Sequence, residues 1–300
     1  MNETEWLGER FQEHRSHLKS VAYRMLGSLH DADDAVQEAW LRLTRQDARE
    51  IENLRGWLTT VVARVCLNML ESRRSRREES LDVHVPDPVV RLDEEIDPED
   101  EALLADSVGL ALLVVLDTLT PAERLAFVLH DMFAVPFDEI AATLGRSPES
   151  ARQLASRARR RVQVADRAPD ADLGRQRAVV DAFLAAAREG DFNALLEVLD
   201  PDVVLRADSG ALPSPPSRLV RGAREVAGLA LAFSDLARFS RPALVNGAAG
   251  IVVAPEGRVF SVFGVTIKHD KIVEFDILAD PERLARLDLV VLDDGSKPGS

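Results

Sequence analysis

One thirty-residue block constrains this chain more than any other feature. Residues 79–108 carry eleven acidic side chains against one basic, Arg91, for a net charge of −10, and include Pro86, Pro88 and Pro98. Like charge at this density repels itself, and each proline removes a backbone donor, so the block reads as extended chain between folded units. The other segments are nearly balanced. Residues 1–78 hold 13 basic and 13 acidic side chains, residues 109–173 hold 8 and 9, and residues 174–300 hold 15 and 18. The segment charges 0, −10, −1 and −3 thus make up the total of −14. As an acidic, proline-containing linker, 79–108 is either a solvated spacer or an element with a role of its own.

On both sides of the linker the apolar residues recur at helical spacing. Phe11, Leu18, Val21, Ala22 and Met25 mark a helix over about 5–27, closed by Gly27-Ser28. Ala35, Val36, Ala39, Trp40 and Leu43 mark a second over 30–45, and a third runs from Ile51 or Leu54 to Arg77. Beyond the linker, helices fit 100–117, 121–131, 136–144 and 148–163. After residue 174 the pattern changes to a helix over 175–189, a short strand over 201–204, a Ser/Pro-rich loop from Ser209 to Ser217 and a helix over 221–238. Four strand-like runs follow, Ala243–Val245, Gly250–Val253, Arg258–Ile267 and Lys271–Leu278, joined by turns such as Asn246-Gly247. Helices followed by a run of antiparallel strands predict a separate α+β domain over 174–290, with 291–300 as a disordered tail.

The stretch 137–161 carries the clearest chemistry. A short helix ends at Gly145; Ser147 can cap the next helix, and Pro148 occupies its first position, where a missing N–H costs nothing. The second helix presents five arginines, 152, 157, 159, 160 and 161, against Glu149 alone. In helix-turn-helix geometry such a helix enters the major groove with its N-terminal side chains on the bases. Glu149, Ser150, Arg152 and Gln153 are therefore assigned to bases, and Arg157 and Arg160 mainly to phosphates. A second basic cluster, Arg64, Arg73, Arg74, Arg76 and Arg77, shares a helix with Trp57, a pairing that suits unstacked single-stranded DNA. Cys66 is the one cysteine, which rules out an intrachain disulfide or a metal site built on several thiolates. The longest apolar stretch, Val108–Leu116, is too short to cross a bilayer, and Met1–Glu5 lacks a secretory pattern. A cytoplasmic protein without membrane association, metal or cofactor is expected.

Tyr23-Arg24-Met25-Leu26-Gly27-Ser28 followed by Asp31 to Leu41 resembles region 2 of extracytoplasmic-function sigma factors. The block opening with Leu119-Thr120-Pro121-Ala122-Glu123-Arg124 and running through Arg161 resembles their region 4. The resemblance covers about residues 8–165. It implies that 1–78 is region 2 and 109–173 is region 4, both all-α, in a factor that binds core RNA polymerase through the β′ clamp and β flap. Asp34, Gln37, Glu38 and Leu41 would dock on the clamp. The helix bearing Trp57, Arg64, Asn68, Arg73 and Arg74 would open and read the −10 element, and the helix at 148–161 would read the −35 element. Many relatives have Asn after an Ala-Arg pair in the melting helix; here Ala63-Arg64 is followed by Val65.

The last domain resembles the SnoaL-like cone of the nuclear-transport-factor type, an extension that marks a subgroup of these factors and is understood to regulate them. Three subgroup motifs are replaced here, by His84-Val85-Pro86-Asp87-Pro88, by Asp208-Ser209-Gly210-Ala211 and by Asp280-Pro281-Glu282-Arg283-Leu284. His84, Val85, Pro86, Asp87 and Pro88 are expected to contact the domain, with Asp208, Asp280, Pro281 and Leu284 opposite them. Relatives of the cone include enzymes, but residues 174–300 contain one histidine, His269, and no tyrosine or cysteine, so no catalytic residue is assigned. A small ligand or a regulatory protein at this domain stays open. So does a different class of function, a ligand-responsive DNA-binding regulator or pocket enzyme acting without polymerase; the region resembling the docking helix, 31–41, argues against it. The acidic linker is expected to help hold the two DNA-binding regions in a compact state before polymerase binds.

Overall fold

The computed structural model describes residues 3–46, 51–77, 83–92, 109–165, 172–210, 216–287 and 289. The tail 291–300, Arg76 and Arg77 as side chains, and most of the acidic linker lie outside what is described. The chain divides into two compact units, one drawn from 1–81, 97–106 and 115–166, the other from 82–96, 107–114 and 167–300.

The first unit is helical. Helices α1 (Glu3–Leu26), α2 (Leu29–Leu43) and α3 (Leu54–Arg77) pack on one another. Gly27, at φ +67°, reverses the chain, and the Ser28 hydroxyl caps α2 by accepting from the Asp31 N–H at 3.3 Å. Leu18, Val21, Ala22 and Met25 of α1, Ala35 and Ala39 of α2, and Leu58 and Val62 of α3 are fully buried. Helix α4 (Leu110–Asp117), which the division between the units crosses after Val114, leads to α5 (Pro121–Phe127), where Thr120 and Glu123 form a reciprocal capping box. The expected helix over 121–131 gives way to a π turn at Val128–Met132. There the Val135 N–H reaches the Leu129 carbonyl at 2.9 Å and Ala134 takes φ +54°, so the last turn is widened instead of continuing the α-helix. Helices α6 (Phe137–Leu144) and α7 (Pro148–Ala165) complete the unit.

These two helical groups share one core, since α3 packs against α5 and α6, and α1 against the π turn. The joint is made by arginine. Arg124, only 2% exposed, donates from Nε to the Arg24 carbonyl at 3.1 Å and pairs with Asp117. The Arg24 guanidinium lies 4.6 Å from the Phe133 ring centroid, and His17 meets the same ring edge-on.

The second unit is a seven-stranded sheet in the order β1-β4-β5-β6-β7-β2-β3. Its strands are β1 (Val90–Arg91), β2 (Leu199–Asp208), β3 (Arg218–Arg221), β4 (Ser240–Val245), β5 (Ala248–Val253), β6 (Ser261–Lys268) and β7 (Lys271–Leu278). Helices α8 (Leu173–Glu189), α9 (Phe192–Val198), α10 (Ala223–Ala232) and α11 (Ser234–Ala237) bury Val180, Phe183, Leu184, Leu195 and Val226 against Leu205, Ile251, Val265 and Phe275 of the sheet. A helix-backed sheet around a cavity is the cone that the resemblance implied.

Four sequence expectations change. The sheet is mixed, because β2 runs parallel to β7 and its strand is ten residues long, not four. The single helix over 221–238 breaks at Phe233 into α10 and α11. The strand expected from Arg258 begins at Ser261, after a 3-10 turn at Pro255–Gly257. The linker is not uniformly extended spacer: residues 85–89 are buried, and β1 pairs antiparallel with the edge of β4, Val90 opposite Val245. The short α9 and β3 were not foreseen, since seven and four residues are too few to show a period.

Gly250 sits where strands crowd. A Cβ there would lie 2.5 Å from both the Phe263 carbonyl oxygen and Val245 Cγ2. Gly250→Ala is expected to destabilise the second unit by about 2 kcal/mol through overpacking, read as a lowered midpoint in thermal unfolding.

Candidate functional site

The helix-turn-helix forms as its residues dictate. Gly145, at φ +63°, ends α6, and the Ser147 hydroxyl accepts from the Ser150 N–H at 3.2 Å to start α7. Ala151, Leu154, Ala155 and Ala158 bury one side of α7. Glu149, Arg152, Gln153, Arg157 and Arg160 are exposed on the other side, at spacings of three, four and seven residues; Ser150 is half-buried beside the cap. Arg152 lies 3.8 Å from Glu149 and 5.5 Å from the Phe137 ring centroid, which holds it over the turn. The five arginines are not equivalent. Arg159 pairs with Asp131, and Arg161 pairs with Glu123 at 3.0 Å, so these two tie α7 to its own unit. Among the described residues, the exposed arginines of α7 without a carboxylate from another helix are Arg152, Arg157 and Arg160.

Helix α2 buries Ala32, Ala35, Val36, Ala39 and Leu43. Its opposite face presents Asp34, Gln37, Glu38 and Leu41 at i, i+3, i+4 and i+7, with Leu41 42% exposed. His30 stands 3.7 Å from Asp34, and Arg42 pairs with Glu38 at 2.9 Å, which fixes two of the three carboxyl and amide groups in place. On α3, Trp57 is half-buried, while Arg64, Asn68 and Arg74 are exposed. Trp57, Arg64 and Asn68 follow one side of the helix. Arg73, expected in the DNA-facing set, here donates to the Leu26 carbonyl at 3.1 Å and pairs with Asp31, capping the end of α1. Arg64 donates to the Ala142 carbonyl of α6 at 3.3 Å, so the two basic helices meet inside one unit.

The second unit brings the three named motifs to one place. The Asp208 carboxylate accepts from the Val85 N–H at 3.0 Å and stands 3.3 Å from His84 Nδ1. Arg283, at 2.8 Å from Asp208, also donates to the Val85 carbonyl at 2.6 Å and to Asp87 at 2.7 Å. Asp280 caps the short helix α12 (Pro281–Leu284) that presents Arg283, accepting from the N–H groups of Glu282 and Arg283 at 2.9 and 3.3 Å. Pro86, Asp87 and Pro88 are buried in the same place, and Leu284 is buried beneath α12, whereas Pro281 is exposed. Arg283 and Asn246 were not singled out from sequence. Arg283 lay inside a motif that had been noted; Asn246 looked like a hairpin residue, and indeed has φ +50°, yet it also brackets Val89, accepting its N–H at 3.0 Å and donating to its carbonyl at 2.8 Å. Gly210 is also required. At φ +61° it lets its N–H reach Asp208 Oδ1 at 3.0 Å, and a Cβ there would strike the Asp280 carboxyl.

Burial alone would raise the Asp208 carboxyl. The hydrogen bonds from His84, the Val85 and Gly210 N–H groups, and the charge of Arg283 outweigh it and hold the group at about 2. Cys66, buried among helices of the first unit, has its thiol pushed far up by desolvation and is inert as a nucleophile. Among the described residues no group of His, Cys, Asp and Glu could hold a metal ion, and no helix is long and apolar enough to cross a membrane.

Family models for Sigma-70 region 2 and for Sigma-70, region 4 match residues 10–76 and 109–162. The chain is similar to the probable ECF RNA polymerase sigma factor SigI of Mycobacterium tuberculosis, with 36% identity over 293 residues that cover 95% of this chain and 97% of the relative. To the ECF RNA polymerase sigma factor SigJ of the same organism it is 39% identical over 287 residues, 91% of each chain. The crystal structure of M. tuberculosis SigJ matches with a TM-score of 0.75 at 37% identity, covering 92% of this chain and 98% of that one.

The Asp208 cluster has a defined pH range. A carboxyl whose folded value lies below its unfolded value contributes stability that is complete above the unfolded value and lost as pH falls through the folded one. For Asp208 that window lies between about 4 and about 2. Asp208→Asn should therefore lower the unfolding free energy of the second unit by roughly 2–3 kcal/mol at neutral pH. In denaturant titrations followed by circular dichroism, the gap to the unsubstituted chain should hold from pH 5 to 9 and shrink in acid.

Proposed function

The chain belongs to the extracytoplasmic-function sigma factors of RNA polymerase, and as one of them it directs promoter recognition in transcription initiation; from that premise we propose which residues carry each step. Core polymerase docks by its β′ clamp on the α2 face of Asp34, Gln37, Glu38 and Leu41, and by its β flap on region 4. Trp57, Arg64, Asn68 and Arg74 of α3 open and read the −10 element. Helix α7 reads the −35 element, with Glu149, Ser150, Arg152 and Gln153 on bases and Arg157 and Arg160 on phosphates. The protein works in the cytoplasm, and its last domain is a regulator, not an enzyme. In support, the cavity of that domain has no carboxylate, histidine, cysteine or tyrosine among its described lining residues.

The observation that carries the mechanism is the packing of regions 2 and 4 in one compact unit. Promoter elements named −10 and −35 lie about 25 base pairs apart, roughly 85 Å of duplex at 3.4 Å per pair. A compact unit of this size has a radius of gyration of about 15 Å. The closed unit cannot read both elements at once, so polymerase binds with the regions separated and draws the equilibrium toward that state by its higher affinity for it. Opening breaks the buried bond of Arg124 to the Arg24 carbonyl and releases Arg64 from Ala142. The clamp of Arg283 and Asp208 on residues 84–88 acts on the chain that joins regions 2 and 4, and this is how the C-terminal domain regulates the factor in cis.

In transcription with purified core polymerase, the full-length chain should initiate at a two-element promoter, and failure to bind core would sink the reading. Asp34→Ala with Gln37→Ala should weaken core binding while leaving the unfolding midpoint in place. Arg152→Ala should cost about 1–3 kcal/mol at the upstream element and relax its sequence preference. Arg160→Ala should weaken binding to every sequence and flatten the salt dependence by about 0.9 in log–log slope. Arg159→Ala, by contrast, should lower stability more than DNA affinity. Replacing Pro86 and Pro88 by serine should raise transcription at limiting core concentration, measured against the unsubstituted chain.

A further inference from the structure

Between the sheet and the helices of the C-terminal domain lies a cavity of about 220 Å3. Its described lining is apolar, Phe183, Phe263 and Phe275 included, except for Ser209, Ser261 and one charged side chain, Arg218 on β3. Among the described residues no acidic side chain lines it. Arg218 is half-buried, its guanidinium 5.7 Å from the ring centroid of Phe233, and it forms no ion pair among the described residues. The cavity opens beside Phe233 and Phe260, large aromatic side chains that are 41% and 43% exposed. Two features of this arrangement run against the interest of a purely structural domain. An apolar cavity left unfilled costs stability, and exposed aromatic rings gain nothing in water. Both make sense if something apolar enters.

We propose that this cavity binds a small apolar monocarboxylate, one or two rings or a short branched chain in size, with Arg218 as the counter-ion of the carboxylate. The volume falls below the roughly 300–1,000 Å3 of pockets for drug-sized ligands, which limits the body of the ligand. One cation and no anion at the wall set its charge at minus one. A planar guanidinium with an aromatic ring on one face presents its free edge donors to a carboxylate in the two-pronged geometry that arginine favours. The ligand would also meet the regulatory clamp. Ser209 lines the cavity, and its neighbour Asp208 holds Val85 and Arg283, so an occupant at the end of β2 presses on the residue next to the clamp.

The test uses the full-length chain and 2-naphthoate, with 2-naphthamide as the neutral match of the same shape. Isothermal titration should give saturable one-to-one binding of 2-naphthoate, at least tenfold tighter than the amide. Arg218→Gln should bring the carboxylate down to the level of the amide and leave the amide unchanged. Ala230→Trp, which fills the cavity from α10, should abolish both, with an unchanged circular dichroism spectrum showing that the domain is folded. No saturable binding of either compound overturns the proposal, as does equal affinity for the two or an Arg218→Gln variant that still prefers the carboxylate. Binding that survives Ala230→Trp places the ligand elsewhere and overturns it too. The sigma-factor assignment is tested separately, by core binding, and does not depend on this result.

Discussion

The guanidinium of Arg283 holds in place a piece of chain that its composition would leave in water. Residues 84–88 sit in the most acidic part of the sequence, yet 85–89 are buried. The prolines that mark the segment as linker are also what make its burial affordable. Pro86 and Pro88 have no N–H to satisfy, and the N–H groups of Val85 and Val89 reach the buried side chains of Asp208 and Asn246. Asp87, the one acidic group of the stretch, is neutralised by Arg283. Removing that arginine would take from two buried carboxylates, Asp87 and Asp208, the guanidinium they share, a loss that costs far more than that of an exposed pair would. Edge strand β1 and its pairing with β4 follow directly after this anchored segment.

The first unit depends in the same way on arginines that do not face DNA. Of the basic residues that make the chain resemble a nucleic-acid-binding protein, Arg73, Arg124, Arg159 and Arg161 are bound to carboxylates or backbone carbonyls within the unit. Of the exposed arginines of α7, Arg152, Arg157 and Arg160 are those with no carboxylate from another helix among the described residues. A helix can only offer one side to a groove, so the arginines paired within the unit are free to act as struts. The acidic total of the chain does not oppose DNA binding, because at physiological salt charges beyond about 8 Å are screened and α7 is locally positive.

β2 connects the clamp around Asp208 to the cavity. Successive side chains of a strand point to opposite faces, and here Leu205 and Ala207 line the cavity while Arg206 turns away and bonds Asp276 at 3.0 Å. Asp208 closes the strand at the clamp, and Ser209 returns to the cavity wall. Two sites one residue apart on a paired strand cannot move independently, which gives a physical route between an occupied cavity and the chain joining regions 2 and 4.

The sequence by itself determined the elements and their kind. Helical spacing placed α1, α2, α3, α6 and α7 within a few residues; Gly145, Ser147 and Pro148 marked the helix-turn-helix; and the turn at Asn246-Gly247 marked a hairpin. It also supplied the three motifs that meet around Asp208. All of these are signals confined to one or two turns of helix or one strand, where neighbouring residues share a backbone geometry. The tertiary structure alone decided which charges are struts and which face solvent, and that part of the linker is sheet. It also decided that β2 runs parallel to β7, which no local pattern records. The pairs responsible are distant in sequence, with 196 residues between Arg283 and Asp87 and 47 between Arg73 and the Leu26 carbonyl. Over such separations residue spacing carries no geometric information; only the packed core, by fixing which backbones come together, assigns each arginine its partner.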